Sequence, residues 1–153
     1  MSAAPLPGRL DEIVDAFAEL PRNLKLELLL DYANRLPPLP ERYAAHRDRL
    51  ERVHECQTPF FVAAEVDDGR VHLYFDAPEE SPTTRGFAGI LHAGLDGEPS
   101  SDVLAVPADF SARLGLNEAV SPLRLRGIAA ILGVVQRQLR DRLAGAARAG
   151  ASC

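Results

Sequence analysis

Pro59-Phe60-Phe61-Val62-Ala63-Ala64-Glu65-Val66-Asp67-Asp68-Gly69-Arg70-Val71-His72-Leu73-Tyr74-Phe75-Asp76 is the stretch on which the fold turns. Phe60, Val62, Ala64 and Val66 alternate with Phe61, Ala63, Glu65 and Asp67, so one face is wholly apolar and the other becomes polar toward its end. That two-residue period belongs to a strand half-buried against a core. Asp68-Gly69 supplies a two-residue turn, and Val71, Leu73 and Phe75 then alternate with Arg70, His72, Tyr74 and Asp76. The stretch predicts an antiparallel β-hairpin over about 59–76 with its apolar face turned inward.

Outward from the hairpin the period changes to that of helices. Leu10, Ile13, Val14 and Phe17 form a stripe that Pro21 ends, and a second helix is expected over about 22–36 with Leu24, Leu28, Leu29, Tyr32, Ala33 and Leu36 buried. Leu36-Pro37-Pro38-Leu39-Pro40 stops it as a stiff linker, and 41–53 is charged and weakly helical. Ser81-Pro82-Thr83-Thr84 opens a helix carrying Phe87, Ile90, Leu91 and Leu95, able to cover the hairpin. Short helices are expected at 101–106 and 107–114. Ser121-Pro122 then begins a long one with Leu125, Ile128, Leu132, Val135, Leu139 and Leu143 inward and Gly127 permitting close packing. The fold class is α+β: a small antiparallel sheet backed by several helices, in one domain over 1–153 with flexible ends at about 1–9 and 145–153.

With 153 residues, 46% hydrophobic and 25% charged, the chain can bury a full core without disulfides or metal, which excludes disordered, collagen-like and coiled-coil classes. No apolar run approaches the roughly 18 residues that span a bilayer, and the first ten residues lack a secretory pattern, so a cytoplasmic protein is expected. Residues 1–120 hold 21 acids and 11 bases, whereas 121–153 hold Asp141 and six arginines. No aromatics interleave with those arginines to stack bases, so nucleic acid is not an expected partner.

The chemistry narrows to one thiol. Cys56 sits in Val53-His54-Glu55-Cys56-Gln57-Thr58-Pro59, on the loop before the first strand, and Glu55 and Gln57 on either side are unusual company for a core cysteine. Cys153 ends a Gly-Ala-Ser-Cys tail 97 positions away, so a disulfide is not expected. His54 and Cys56 supply two zinc ligands where a closed site needs four, and no second cysteine cluster exists to hold zinc or an iron–sulfur cluster. Three readings remain at this point: a carrier of sulfur on Cys56, a thiol-based redox enzyme lacking a resolving cysteine, or an interaction domain in which Cys56 is inert.

An ordered set of short pieces favours the first. Val53-His54-Glu55-Cys56-Gln57-Thr58 before an apolar strand, Arg85-Gly86 in the following helix, Leu114-Gly115-Leu116, and Ser121-Pro122-Leu123-Arg124-Leu125-Arg126-Gly127 opening the last helix together resemble the SufE family of sulfur-acceptor proteins. The resemblance spans about residues 10–140. It implies an α+β fold of the SufE/IscU type, with Cys56 taking persulfide sulfur from a SufS-type cysteine desulfurase and passing it to an iron–sulfur scaffold. Pyridoxal phosphate would belong to that partner, and this chain would need no cofactor beyond a transient persulfide, acting as an accessory rather than an independent enzyme, monomeric or homodimeric.

Many members have glycine immediately before this cysteine and serine two after it, where this chain has Glu55 and Thr58. A glycine there is free to take φ > 0, and Glu55 adds negative charge beside a thiol that must ionise. His54, two residues away, is on the same side as Cys56 if the segment is extended, which makes it a candidate activator. Glu55, Gln57, Arg85, Arg124 and Arg126 are the expected partner-binding residues.

Overall fold

The structure, a computed structural model, describes residues 5–56 and 58–151, so Gln57 and Cys153 lie outside it. Helices α1 (Gly8–Glu19), α2 (Arg22–Arg35) and the short α3 (Glu41–Ala44) lead into strand β1 (Glu51–Arg52). Strands β2 (Phe61–Asp67) and β3 (Arg70–Asp76) follow, then α4 (Pro82–Leu95), α5 (Ser100–Leu104) and α6 (Pro122–Ala151). The sheet is antiparallel in the order β1-β2-β3, and Asp67 faces Arg70 across the turn. Asp68 and Gly69 both take positive φ, 53° and 76°, as a twisted two-residue hairpin turn requires.

The hairpin's expected parity holds. Phe60, Val62, Ala64, Val71, Leu73 and Phe75 are buried in the main core with Phe87, Ile90 and Leu91 of α4 and Ile128, Leu132 and Val135 of α6. The opposite face is less polar than its sequence suggests, because Tyr43, Leu50 and Ala63 bury a second small cluster there beside Phe61 and Tyr74. Arg42 stacks over the Tyr43 and Tyr74 rings and hydrogen-bonds to Glu65, which also accepts from the Tyr43 hydroxyl. Arg42 holds the Glu65 carboxyl below the usual carboxylate range through that hydrogen bond, although partial burial pushes the other way.

Several expectations are corrected. The weakly helical 41–53 contains α3, a 3-10 turn at Arg47–Arg49 and strand β1, which pairs Glu51 with Val62 and Arg52 with Phe61. Beyond these two residues the edge of β2 is satisfied by α6: the Ala64 N–H donates to Gln138 Oε1 at 2.8 Å and Arg142 Nε donates to the Ala64 carbonyl. The second helix buries Leu29, Tyr32, Ala33 and Leu36 as expected and departs from the expected stripe at its start. Leu24 is 37% exposed while Lys25 is buried, because the lysine's apolar stem lies inward and its Nζ donates to the Gly115 carbonyl at 3.2 Å. The expected helix at 107–114 is a 3-10 helix (Phe110–Leu114) closed by Gly115 at φ 69°. Helix α1 already begins at Gly8, and α6 runs to Ala151 through residues expected to form a loose tail, since the alanine-rich stretch there favours helix; residues 1–4 and 152–153 lie outside the described chain.

Helices α2 and α4 meet backbone to backbone. A Cβ on Gly86 would lie 2.6 Å from the Leu29 carbonyl oxygen, and one on Gly89 would overlap the Tyr32 carbonyl oxygen. These glycines permit the close approach, a role the unremarkable Gly86-Phe87-Ala88-Gly89 spacing did not announce. Their contact fixes the start of α4, and with it one wall of the candidate site.

Candidate functional site

Cys56 lies in the loop between β1 and β2. The Val53 N–H donates to the Phe60 carbonyl at 2.9 Å and closes the base of that loop, and the Cys56 N–H donates to the Val53 carbonyl at 3.2 Å, making Val53–Cys56 a tight turn. Val53 and Phe60 are fully buried, so the loop is anchored at both feet, and the Phe60 ring packs 5.8 Å from that of Phe75. Pro59, which has no N–H, occupies a position that the ladder does not use. The loop folds inward over the first turns of α4 and α6, leaving Cys56 9% exposed, with its thiol free of any disulfide.

Beside Cys56 is a recess of about 100 Å³. Glu55 and Thr58 of the loop form one side, Ser81, Pro82 and Phe87 another, and Leu123, Arg124 and Gly127 the third. Gly127 leaves room where a side chain would stand, since a Cβ there would be 3.7 Å from Cys56 Sγ. The exposed Leu123 forms an apolar lip at the opening. Helices α4 and α6 both bring their N-terminal turns here, and the Ser121 hydroxyl accepts from the Arg124 N–H at 3.4 Å. Those ends place partial positive charge at the recess.

The other surroundings of the thiol favour its protonated form. Burial, with the Glu55 carboxylate adding to it, pushes Cys56 up from 9.0 to about 11, and no described cation offsets them. At neutral pH the thiol is therefore held in its protonated form. Among the described residues no group of three or more His, Cys, Asp or Glu side chains is arranged to hold a metal ion, and no helix is long and apolar enough to cross a membrane.

The structure keeps Glu55 and Arg124 at the Cys56 recess and leaves His54, Arg85 and Arg126 out of its lining. His54 stands at the exposed corner of the turn rather than on an extended segment, and its charge acts on Glu51, whose carboxyl is lowered first by Arg137. Glu55 is on the rim of the recess, and its φ is not positive, so glutamate occupies the glycine position without left-handed backbone. Arg85 points back to the preceding loop, where Nη1 donates to the Ala77 carbonyl at 2.7 Å and braces the entrance to α4. Arg124 is exposed on the rim, whereas Arg126 faces a separate shallow groove with Asp109, Leu125 and Ala129. Gln57 lies outside the described residues. Sequence reasoning missed the recess walls themselves. The signal that could have found them is that both bordering helices open with Ser-Pro, at 81–82 and 121–122.

Comparisons with known proteins bear on the family and the fold. The chain matches the SufE family model, described as an Fe-S metabolism associated domain, over residues 11–139. A SufE-like protein of Mycobacterium tuberculosis, itself uncharacterised, is 52% identical over 139 residues, covering 90% of this chain and 96% of its own length. SufE-like protein 1 of Arabidopsis thaliana, chloroplastic/mitochondrial, is 32% identical over 134 residues, which are 87% of this chain and 35% of that protein. The solution structure of a hypothetical protein from Thermus thermophilus superposes with a TM-score of 0.82 at 46% identity, covering 92% of this chain and 99% of that one. The α+β chain with a buried loop thiol therefore belongs to the SufE family.

Proposed function

We propose that this protein accepts sulfur on Cys56 from the persulfide of a SufS-type cysteine desulfurase, stimulates that enzyme, and relays the sulfur to iron–sulfur cluster assembly. The observation that carries the reading is a reduced cysteine on a loop anchored at both feet, turned over a recess with room beside its sulfur. In the transfer the Cys56 thiolate attacks the outer sulfur of the donor persulfide. A new S–S bond forms to Cys56 as the donor's S–S bond breaks, and the donor cysteine leaves as a thiolate that regains the proton Cys56 gave up. The transferred sulfur keeps its oxidation state, so no oxidant or reductant enters.

A thiol held near pKa 11 is a poor nucleophile at pH 7, so docking must do two things: draw Cys56 out of its low-dielectric seat and offer it positive charge. The same seat suits the loaded state, because a persulfide folded back over the recess is kept from water and stray thiols. A redox-enzyme reading finds no support in a thiol so strongly protonated, since oxidant-sensing cysteines are low in pKa and accessible. Cysteine consumption by a SufS-type desulfurase tests the proposal. The wild-type chain is expected to raise turnover and Cys56→Ser is not; equal stimulation by both would refute Cys56 as the acceptor.

A further inference from the structure

The charged side chains around the Cys56 recess are unbalanced. Among the described residues that line it, Glu55 and Glu80 are carboxylates and Arg124 is a guanidinium, and all three are exposed. Glu55 precedes the cysteine in the chain, and its charge acts on the thiol with no counterpart from Arg124. The N-terminal turns of α4 and α6 pull the other way, but each carries only about half a charge, and that field fades within a turn. Pro82 and Pro122 begin these helices and remove one free N–H from each end. A small molecule that reaches the sulfur through the recess therefore meets a full negative charge beside its target.

We propose that Glu55 is a specificity-determining residue that selects by charge what reacts at Cys56, turning back small thiols that carry an acidic group. Its bearing on a stored persulfide rests on the acceptor reading above, whereas the charge selectivity of the free thiol does not. A loaded Cys56 is open to the same exchange that loaded it. A small thiolate attacks the outer sulfur, a new S–S bond forms on the small thiol as the bond to Cys56 breaks, and Cys56 is left as a thiolate that takes up a proton. A neutral thiol attacks with one negative charge and an acidic thiol with two, so the repulsion from Glu55 falls harder on the second. A protein donor can set a cation of its own against Glu55, so the charge that repels a small anion does not oppose docking. A glycine at position 55 would leave the site without this filter.

The test compares two alkylating reagents of similar size, anionic iodoacetate and neutral iodoacetamide, on the folded chain with Cys153→Ser removing the second thiol. Both attack the same thiolate, so exposure and ionisation of Cys56 cancel in the ratio of their rates. That ratio is expected to be about threefold lower in the folded chain than in guanidinium chloride, where charge is screened. Glu55→Gln should recover the loss, Glu55→Asp should stay low, and added salt should bring the wild type toward Glu55→Gln. After loading by a desulfurase, 2-mercaptoethanesulfonate should strip sulfur from Glu55→Gln about threefold faster than from wild type, with 2-mercaptoethanol as the neutral reference. An unchanged ratio in Glu55→Gln, a wild-type ratio insensitive to salt, or a folded wild type that prefers iodoacetate overturns the proposal. Absence of sulfur loading in the wild type would sink the acceptor reading and leave the alkylation ratio to decide this inference alone.

Discussion

Gly89 and Gly127 occupy helices that flank the same recess, yet they are glycines for opposite reasons. At Gly89 the Tyr32 backbone carbonyl stands where a Cβ would go, so the α2–α4 crossing exists only because nothing is there. At Gly127 a Cβ would make an ordinary 3.7 Å contact with Cys56 Sγ, so the space beside the sulfur is spare rather than occupied. The scaffold is packed to its limit while the site is left underfilled. Close packing fixes where the first turn of α4 stands; spare volume lets what lies against it change, whether by gaining a sulfur atom or by lifting away.

Gly89→Ala is the strongest way to break that contrast. The added methyl must push backbone from backbone, and we expect a loss of about 3 kcal/mol in denaturant unfolding despite alanine's better helix propensity. If Gly89→Ala folds with unchanged stability, the crossing is not as tight as described. The next largest effect is a pH dependence. Cys56 holds its proton more tightly folded than unfolded, so its contribution is complete below the ordinary thiol pKa of about 9 and is lost as pH rises toward about 11. Wild type should therefore lose about 1 kcal/mol relative to Cys56→Ser between pH 8 and pH 10. Parallel stability curves would show that the thiol is not seated in a low-dielectric pocket.

Gly127→Ala sharpens the comparison from the other side. Helix propensity favours alanine by up to about 1 kcal/mol and the new methyl fits, so stability should rise slightly while alkylation of Cys56 slows. A destabilised Gly127→Ala would mean the recess has no spare room. The smallest effect belongs to Glu55→Gln. Removing the carboxylate should move the titration of Cys56 down by a smaller step than burial has moved it up, as read from the pH profile of alkylation.

The sequence displays the parts of this molecule that have a period. The hairpin's alternation and the stripes of α1, α4 and α6 are repeated signals, and the structure follows them. Strand β1 has two residues, too few to show a period, and it becomes a strand only because β2 offers Phe61 and Val62 as partners. The exposed Leu24 misleads for a similar reason, since the buried neighbour is a lysine whose destination, Gly115, lies 90 positions away. At the site, Cys56 is legible from its polar neighbours and the motif around it. The recess is not, because its walls come from the starts of α4 and α6 and are brought together by tertiary packing. Arg85 has a structural tie that its place in the motif does not announce, since its Nη1 donates to the Ala77 carbonyl of the preceding loop.

Intact mass spectrometry after incubation with a SufS-type cysteine desulfurase and free cysteine tests the central claim most directly. The account predicts that the wild-type chain gains one or more sulfur atoms, that reduction removes them, and that Cys56→Ser gains none. A wild-type chain that stays at its unmodified mass, or a Cys56→Ser chain that loads equally, would contradict it.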